Sequence, residues 1–356
     1  MSKILHISRT MGQGGAEKIV FQLCEEFKDE FSEIYVASRG GHLVNALEKH
    51  AINHLTIDDI EKKTISVLLK NFLQLNKLIK KHDIGIVHIH HRMGLVYAQM
   101  LRLFNPKLKV IYTAHNIFKD NYFLYKLLLT KVICIAVGKG VKDSLPLKNK
   151  KHVIVIYNGV RKPEDEYIPT ELKGFEGTKI LCIARLSEQK GHKYLLDSVK
   201  QLKDELPEND FKVYFLGEDE HGHEHVLREL VAEYKISNKI EFLGYKKDVH
   251  NYINDCDFAV LPSLWEGFPL TPIEVFMNKR TIVATDIKGT DEIVNESNGM
   301  LVTPADAISL KEGMKKLLEN LDLRNAKEEQ AFISYTNNFS FERFVSQYRE
   351  IYKDKE

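Results

Sequence analysis

Short runs of β-branched and other apolar residues alternate with amphipathic stretches along nearly the whole chain, in two successive series. The first series of predicted strands is Ile4–Ser8, Glu33–Ala37, Ile84–Ile89, Lys109–Ala114, Val132–Val137 and Val153–Ile156. The second is Ile180–Ile183, Lys212–Leu216, Lys239–Phe242, Phe258–Pro262, Thr281–Ala284 and Met300–Val302. Apolar residues at helical spacing fall between them, for example at Ala16–Phe27, Ile65–Lys81, Tyr194–Leu202, His225–Tyr234 and Leu310–Leu318. Strands that alternate with helices build parallel sheets from βαβ units. Two such series in 356 residues, more than one core usually organises, predict two doubly wound α/β domains in tandem. The pattern breaks near Arg161–Gly177, where Lys162, Pro163, Glu164, Asp165 and Glu166 interrupt it. The expected domains are therefore 1–163 and 164–340, with a last helix at about 341–356 packing back on the first.

Composition narrows the function classes. Charged residues at 28% and hydrophobic ones at 44% suit a soluble globular chain and exclude disorder. The longest apolar stretches, such as Leu127–Leu129 and Val153–Ile156, are far too short to span a bilayer. Lys3 and His6 sit inside the first apolar run, which therefore reads as a strand and not as a signal peptide. Cys24, Cys134, Cys182 and Cys256 are scattered with no CxxC pair, as expected of reduced thiols in a cytoplasm. The formal charge of +1 hides an asymmetry: residues 1–160 hold 24 Lys and Arg against 13 Asp and Glu, and the rest hold 27 against 37. Residues 61–160 alone carry 18 basic and 4 acidic side chains. That half either favours an anionic partner, such as a membrane surface or a phosphate-bearing acceptor, or is a solvated basic face. No nucleic-acid partner is expected.

In open parallel sheets ligands bind beyond the carboxyl ends of the strands, so two such sheets place a site in the cleft where those ends face each other. The first βα turn, Gly12-Gln13-Gly14-Gly15-Ala16-Glu17, resembles a dinucleotide fingerprint, but Glu17 stands where a third glycine is needed and argues against a nicotinamide cofactor. Gly14 and Gly15 still let backbone N–H groups approach an anion, or else simply make a tight turn. His115, directly after a strand, can hydrogen-bond a sugar hydroxyl or phosphate, or be a structural histidine. His88 and His90 share a strand face, which raises a metal site, yet no convergent carboxylate follows and no metal is expected. In the second half, Arg185 and Lys190 flank a turn entering a helix, a fork and a point charge suited to a diphosphate. The segment Leu264–Glu274 follows another strand and carries Glu266 and Glu274, whose carboxylates can accept hydrogen bonds from hydroxyls at either end of a loop of free N–H groups. Two motifs read as decoys. Asp255-Cys256-Asp257 precedes a buried strand instead of ending one, and residues 218–225, rich in Glu and His, read as a solvated loop or an adventitious metal site.

Taken in order, these segments resemble the retaining glycosyltransferases of family 4, which have the GT-B fold of two Rossmann-like domains facing each other across a cleft. The resemblance rests on Gly14-Gly15-Ala16-Glu17, His115, Asn158-Gly159, Arg185 with Lys190-Gly191, Val213–Gly217, Phe242-Leu243-Gly244, and Glu266 with Glu274. It implies a C-terminal domain that binds a nucleotide sugar, most simply a UDP-sugar, and an N-terminal domain that binds a glycan or polyprenyl- or lipid-linked acceptor. Carried onto this sequence, Arg185 and Lys190 hold the diphosphate, Glu274 the ribose, and Glu266 the hydroxyls of the donor sugar. The loop Gly267, Phe268, Leu270 and Thr271 lies along the phosphates, Tyr245 lies beside the base, and His115 stabilises the sugar in the transition state. Pro269 departs from the common pattern, where many members have glycine, and has no N–H to offer. The implied reaction is metal-independent hexosyl transfer with retention, in cell-surface polysaccharide, lipopolysaccharide or capsule synthesis, with no cofactor. A non-catalytic sugar-nucleotide-binding partner subunit, or a UDP-sugar 2-epimerase, is the alternative. Basic, aromatic-rich stretches at Lys62–Lys81 and Phe118–Lys131 predict peripheral docking on the cytoplasmic face of an anionic membrane, unless their apolar faces are core.

Overall fold

The strands are near-continuous apolar runs because both faces of each sheet are covered, as in parallel α/β sheets generally. The computed structural model describes residues 2–12, 14–117, 122–147, 149–163, 165–219 and 222–353, with only the backbone of residues 122 and 123. Phe118–Asn121 of the second basic stretch, and Gln13, Glu164 and 220–221 of the motifs above, lie outside the described residues.

The chain opens with β1 (Lys3–Ile7), α1 (Gly15–Glu26), β2 (Glu33–Ser38), α2 (Val44–Lys49) and β3 (Asn53–Thr56). It continues with α3 (Ile65–His82), β4 (Ile86–Ile89), α4 (Gly94–Phe104), β5 (Lys109–Ala114) and α5 (Tyr122–Leu128). The first sheet finishes with β6 (Ile133–Ala136), α6 (Lys139–Ser144) and β7 (Ile154–Val155). The second begins with β8 (Thr178–Ile183), α7 (His192–Glu205), β9 (Phe211–Leu216), α8 (His223–Glu233) and β10 (Ile240–Gly244). Then come α9 (Val249–Asp255), β11 (Phe258–Leu261), α10 (Thr271–Met277), β12 (Ile282–Thr285) and β13 (Met300–Val302). The chain closes with α11 (Ala307–Glu319), α12 (Leu321–Ser334) and α13 (Phe341–Lys353).

Both sheets are wholly parallel. Their orders are β3-β2-β1-β4-β5-β6-β7 and β10-β9-β8-β11-β12-β13, so each reverses direction once, between β1 and β4 in the first and between β8 and β11 in the second. The doubly wound α/β prediction is met in each. One strand is absent from the sequence reading: β3 is a half-exposed edge strand with the polar residues Asn53, His54 and Thr56, so it lacks the apolar run that reveals the others. β4 begins at Ile86 and ends at Ile89, leaving His90 and His91 just beyond it.

Two compact units result. One comprises the chain up to Asn158 together with the residues from Val345 onward; the other is Gly159–Phe344. The division lies a few residues from the 163/164 and 340/341 boundaries read in the sequence, because residues 159–161 pack with the second unit. Val160 bridges to Ser340, Tyr335 Oη donates to the Val160 carbonyl 3.1 Å away, and Arg161 lies over the Phe341 ring. Gly159 touches Phe344 and Ser340 so closely that a β-carbon there would overlap them. The second core gathers Leu195, Val199, Phe211, Val213, Phe215 and Phe258, all sealed from solvent. Helix caps follow the sequence: Asp306 accepts from the amides of Ile308 and Ser309 to start α11, and Asn320 accepts from Leu323 to start α12. All four cysteines are buried free thiols. No helix among the described residues is long and apolar enough to cross a membrane.

Candidate active site

In the second unit the order reverses between β8 and β11, and open sheets bind ligands at such a switch point. β8 leads into Arg185 and then a 3₁₀ turn, Glu188–Lys190, closed by Gly191 in the left-handed region at φ +65°. An L-residue would be strained there, and its β-carbon would also run into the Pro262 carbonyl at the end of β11. The two strand ends are therefore in contact. Leu264 N donates to Gln189 O at 2.8 Å, and Gln189 Nε2 returns a bond to Trp265 O, also at 2.8 Å. This clasp brings Lys190 Nζ to 2.5 Å from Glu266 Oε1, an oxygen that also accepts from Ser263 Oγ at 2.7 Å. The two charged side chains are only 15% and 9% exposed, so little water screens them.

Other residues singled out from the sequence in this unit lie just beyond the ends of β8, β10 and β11 of the same sheet. Arg185 is exposed at the mouth of the β8 turn. Thr271 opens α10 and donates its Oγ1 to Ile183 O at 3.2 Å, tying that helix to the end of β8. Leu270 caps α10, and the half-buried Glu274 lies in its first turn. Gly267 is approached so closely by Gly289 that no β-carbon fits at position 289, and Phe268 is buried against Phe339. Tyr245 is exposed just after β10, whose Gly244 carbonyl accepts from Gly217 N at 2.9 Å. Gly217 itself presses on Ala184, beside Arg185. Ser263 and Gln189 carry no chemical signal in the sequence beyond place, Ser263 sitting just past a strand end like the others.

In the first unit Gly14 caps α1 in an extended conformation. The Glu17 carboxylate folds back over it and accepts from Thr10 Oγ1, so the chain supplies its own anion at this helix N-terminus. Gly15 is the first residue of α1. His115 follows β5 and belongs to a larger array. His6 pairs in register with His88, and His88 with Ile111, so the period of two puts His90, Thr113 and His115 on the same face. His90 Nδ1 lies 3.2 Å from His115 Nε2, and His90 Nε2 lies 3.0 Å from His6 Nδ1. His88 meets Tyr352 Oη and Thr113 Oγ1, each at 2.8 Å, and Thr113 meets Tyr348 Oη at 3.0 Å. Loss of water pulls the His6 imidazole down to about 3 and His115 to about 4, and lowers His88 and His90 well below the ordinary value. Nitrogens of His6, His88 and His90 come within 4.8 Å of one another, but both nitrogens of His88 and of His90 are already engaged. His6 carried no signal beyond its place in an apolar strand.

The decoys have structural partners. Asp255 accepts from Thr170 N at 2.7 Å and from Tyr167 Oη, and Asp257 from Lys179 N at 2.8 Å, all at the end of β11 away from Glu266. Of the segment read as a loop at 218–225, His223, Glu224 and His225 form the first turn of α8; Asp219 accepts from Glu224 N at 3.0 Å and Glu224 pairs with Arg228.

Comparison with known proteins accords with this arrangement. A model of "Glycosyltransferase Family 4" matches residues 13–162, and one of "Glycosyl transferases group 1" matches residues 164–334. An uncharacterized glycosyltransferase of Methanocaldococcus jannaschii is 28% identical, over 96% of this chain and 95% of its own length. A UDP-Gal:alpha-D-GlcNAc-diphosphoundecaprenol alpha-1,3-galactosyltransferase of Escherichia coli is 24% identical, over 99% of this chain and 97% of its own. The crystal structure of a glycosyltransferase from Rickettsia africae superposes with a TM-score of 0.84 at 26% identity, covering 99% of this chain and 98% of that one. With one family model on each parallel-sheet unit, the chain belongs to the family-4 glycosyltransferases and is a hexosyltransferase-type enzyme of GT-B fold.

Proposed function

We propose that this enzyme moves a hexose, with retention at the anomeric carbon, from a UDP-sugar to a glycan or lipid-linked acceptor in cell-surface polysaccharide synthesis. The observation that carries the reading is the sheltered Lys190–Glu266 pair at the β8/β11 switch point, in the turn that Arg185 opens after β8. Breaking the anomeric C–O bond leaves an oxocarbenium-like sugar and a nucleoside diphosphate. Arg185 and Lys190 stabilise the charge growing on the diphosphate, and the reading requires no metal. Lys190 and Ser263 both donate to Glu266 Oε1, and Oε2 is assigned to a hydroxyl of the donor sugar. Glu274 is assigned to the ribose, Tyr245 to the base, the amides of Leu270 and Thr271 to phosphate, and His115 to the donor sugar. The Escherichia coli relative is named for a UDP-sugar donor and a diphosphoundecaprenol-linked acceptor, which supports these classes.

We further assign the basic first unit to an anionic membrane surface. α3 leaves Ile65, Leu69 and Leu73 in water at 78%, 49% and 62% exposure, one turn apart along a stripe, with Lys62, Lys63, Lys70 and Lys77 exposed nearby. Leu103 and Phe104 at the end of α4 add exposed apolar area, with the Phe104 ring 5.2 Å from that of Phe72 on α3.

The test is a panel of UDP- and GDP-hexoses screened by thermal shift, then by transfer to polyprenyl-diphosphate-linked sugars. Arg185→Ala and Lys190→Ala should each lower transfer by about 100-fold or more, with EDTA leaving the parent rate intact. Glu274→Ala should weaken UDP binding, whereas Glu266→Ala should mainly lower turnover. Transfer that stops with EDTA yet survives both cation variants would overturn the diphosphate assignment.

A further inference from the structure

His6, His90 and His115 form a chain of three imidazoles, from β1 through the end of β4 to the end of β5, with adjacent nitrogens 3.0 and 3.2 Å apart. Loss of water keeps all three rings neutral, so each carries one N–H. Each bond in the chain needs one proton, and only two arrangements provide it. If every N–H points toward His6, His115 donates through Nε2 and its Nδ1 is an acceptor. If every N–H points toward His115, its Nε2 accepts and its Nδ1 is a donor. A mixed arrangement leaves one bond with two protons or with none. The middle ring is also fixed in orientation. His88 lies against His90 with centroids 4.0 Å apart, and is itself held at both nitrogens by Tyr352 and Thr113.

We propose that His90 is a positioning residue: backed by His6, it fixes the ring orientation and the tautomer of His115, and so decides whether His115 Nδ1 meets the donor sugar as donor or acceptor. The inference rests on the assignment of His115 to the donor sugar. His90 touches no substrate in this scheme and acts only through His115.

The full chain labelled with ¹⁵N-histidine tests it directly, with His115 assigned by the signals lost in His115→Ala. In the parent its two ring nitrogens should resonate far apart, as one unaveraged tautomer. His90→Phe keeps an aromatic ring but removes both nitrogens, and should draw the His115 signals together. With UDP-glucose, UDP-galactose and their 2-acetamido counterparts as donors, His90→Phe should lower kcat by about 10- to 100-fold, as a misaligned group does. The donor KM should stay within about twofold, and adding His90→Phe to His115→Ala should change kcat by less than about twofold, since the two residues act as one. Should His90→Phe not fold, His90→Gln carries the test. Its amide offers either a donor or an acceptor after a flip, so it holds the ring without selecting a tautomer, and two sets of His115 signals are expected. Unchanged His115 signals in the variant that folds overturn the proposal. A costly His115→Ala with a fully additive His90→Phe overturns the positioning role alone, whereas parent-like turnover in His115→Ala overturns both it and the assignment of His115.

Discussion

Lys190 and Glu266 hold opposite charges 2.5 Å apart with little water near either, and that makes the pair sensitive to the loss of one partner. Lys190→Ala strands the Glu266 carboxylate beside Ser263, and removing one member of a buried pair costs about 3–5 kcal/mol, somewhat less here because some exposure remains. The second unit should melt several degrees lower. Adding Glu266→Gln should recover most of that loss without recovering transfer, because the cation assigned to the diphosphate is still missing. Calorimetry and a transfer assay on the single and double variants check this, and a double variant melting no higher than Lys190→Ala would contradict it. The identities of these residues were legible, since each stands just past an apolar strand. Their meeting was not. It depends on Gly191 at φ +65° letting the 188–191 turn touch Pro262, 71 positions away in the chain.

At the scale of elements, α3 shows how one amphipathic pattern is divided. Phe72, Leu75 and Ile79 enter the core, while Ile65, Leu69 and Leu73 remain exposed. The helical spacing of all these residues was readable, but periodicity cannot tell a face that packs from a stripe that does not. On anionic vesicles the exposed stripe should insert shallowly while its lysines meet the headgroups, each cation adding about 1 kcal/mol. Co-sedimentation with phosphatidylglycerol-containing liposomes should exceed that with phosphatidylcholine alone and fall steeply with salt. Replacing Ile65, Leu69 and Leu73 together with serine should remove it, at little cost to melting temperature. Equal recovery in the supernatant with both vesicle types at low salt would end the docking assignment and leave the transferase assignment standing. β3 is the opposite case: an element held by the neighbouring strand β2 with no apolar run of its own.

For the molecule as a whole, the buried His6 and His192 and the half-buried His115 set an acid limit. His6 and His115 in the first unit, and His192 in the second, titrate near 6.5 when exposed, but burial lowers them to about 3, 4 and 3. The unfolded chain therefore binds more protons than the folded one as pH falls below about 6.5, and stability falls with it. At pH 5 each ring that stays neutral costs about 2 kcal/mol relative to neutral pH. The melting temperature should drop by roughly 10 °C between pH 7.5 and 5, and a flat profile over that interval would contradict the neutral array. The sequence by itself determined the two βαβ series, the parallel sheets and the post-strand position of Arg185, Lys190, Glu266, Glu274 and His115, because strand and helix periods and turn residues are local properties. Only the tertiary structure decided which of these side chains meet, joined His6 and His90 to His115, and laid Tyr348 and Tyr352 of α13 against Thr113 and His88. Those contacts join residues up to 264 positions apart, and no local pattern encodes them. They exist because the first sheet orders its strands out of sequence and α13, from the far end of the chain, packs against it.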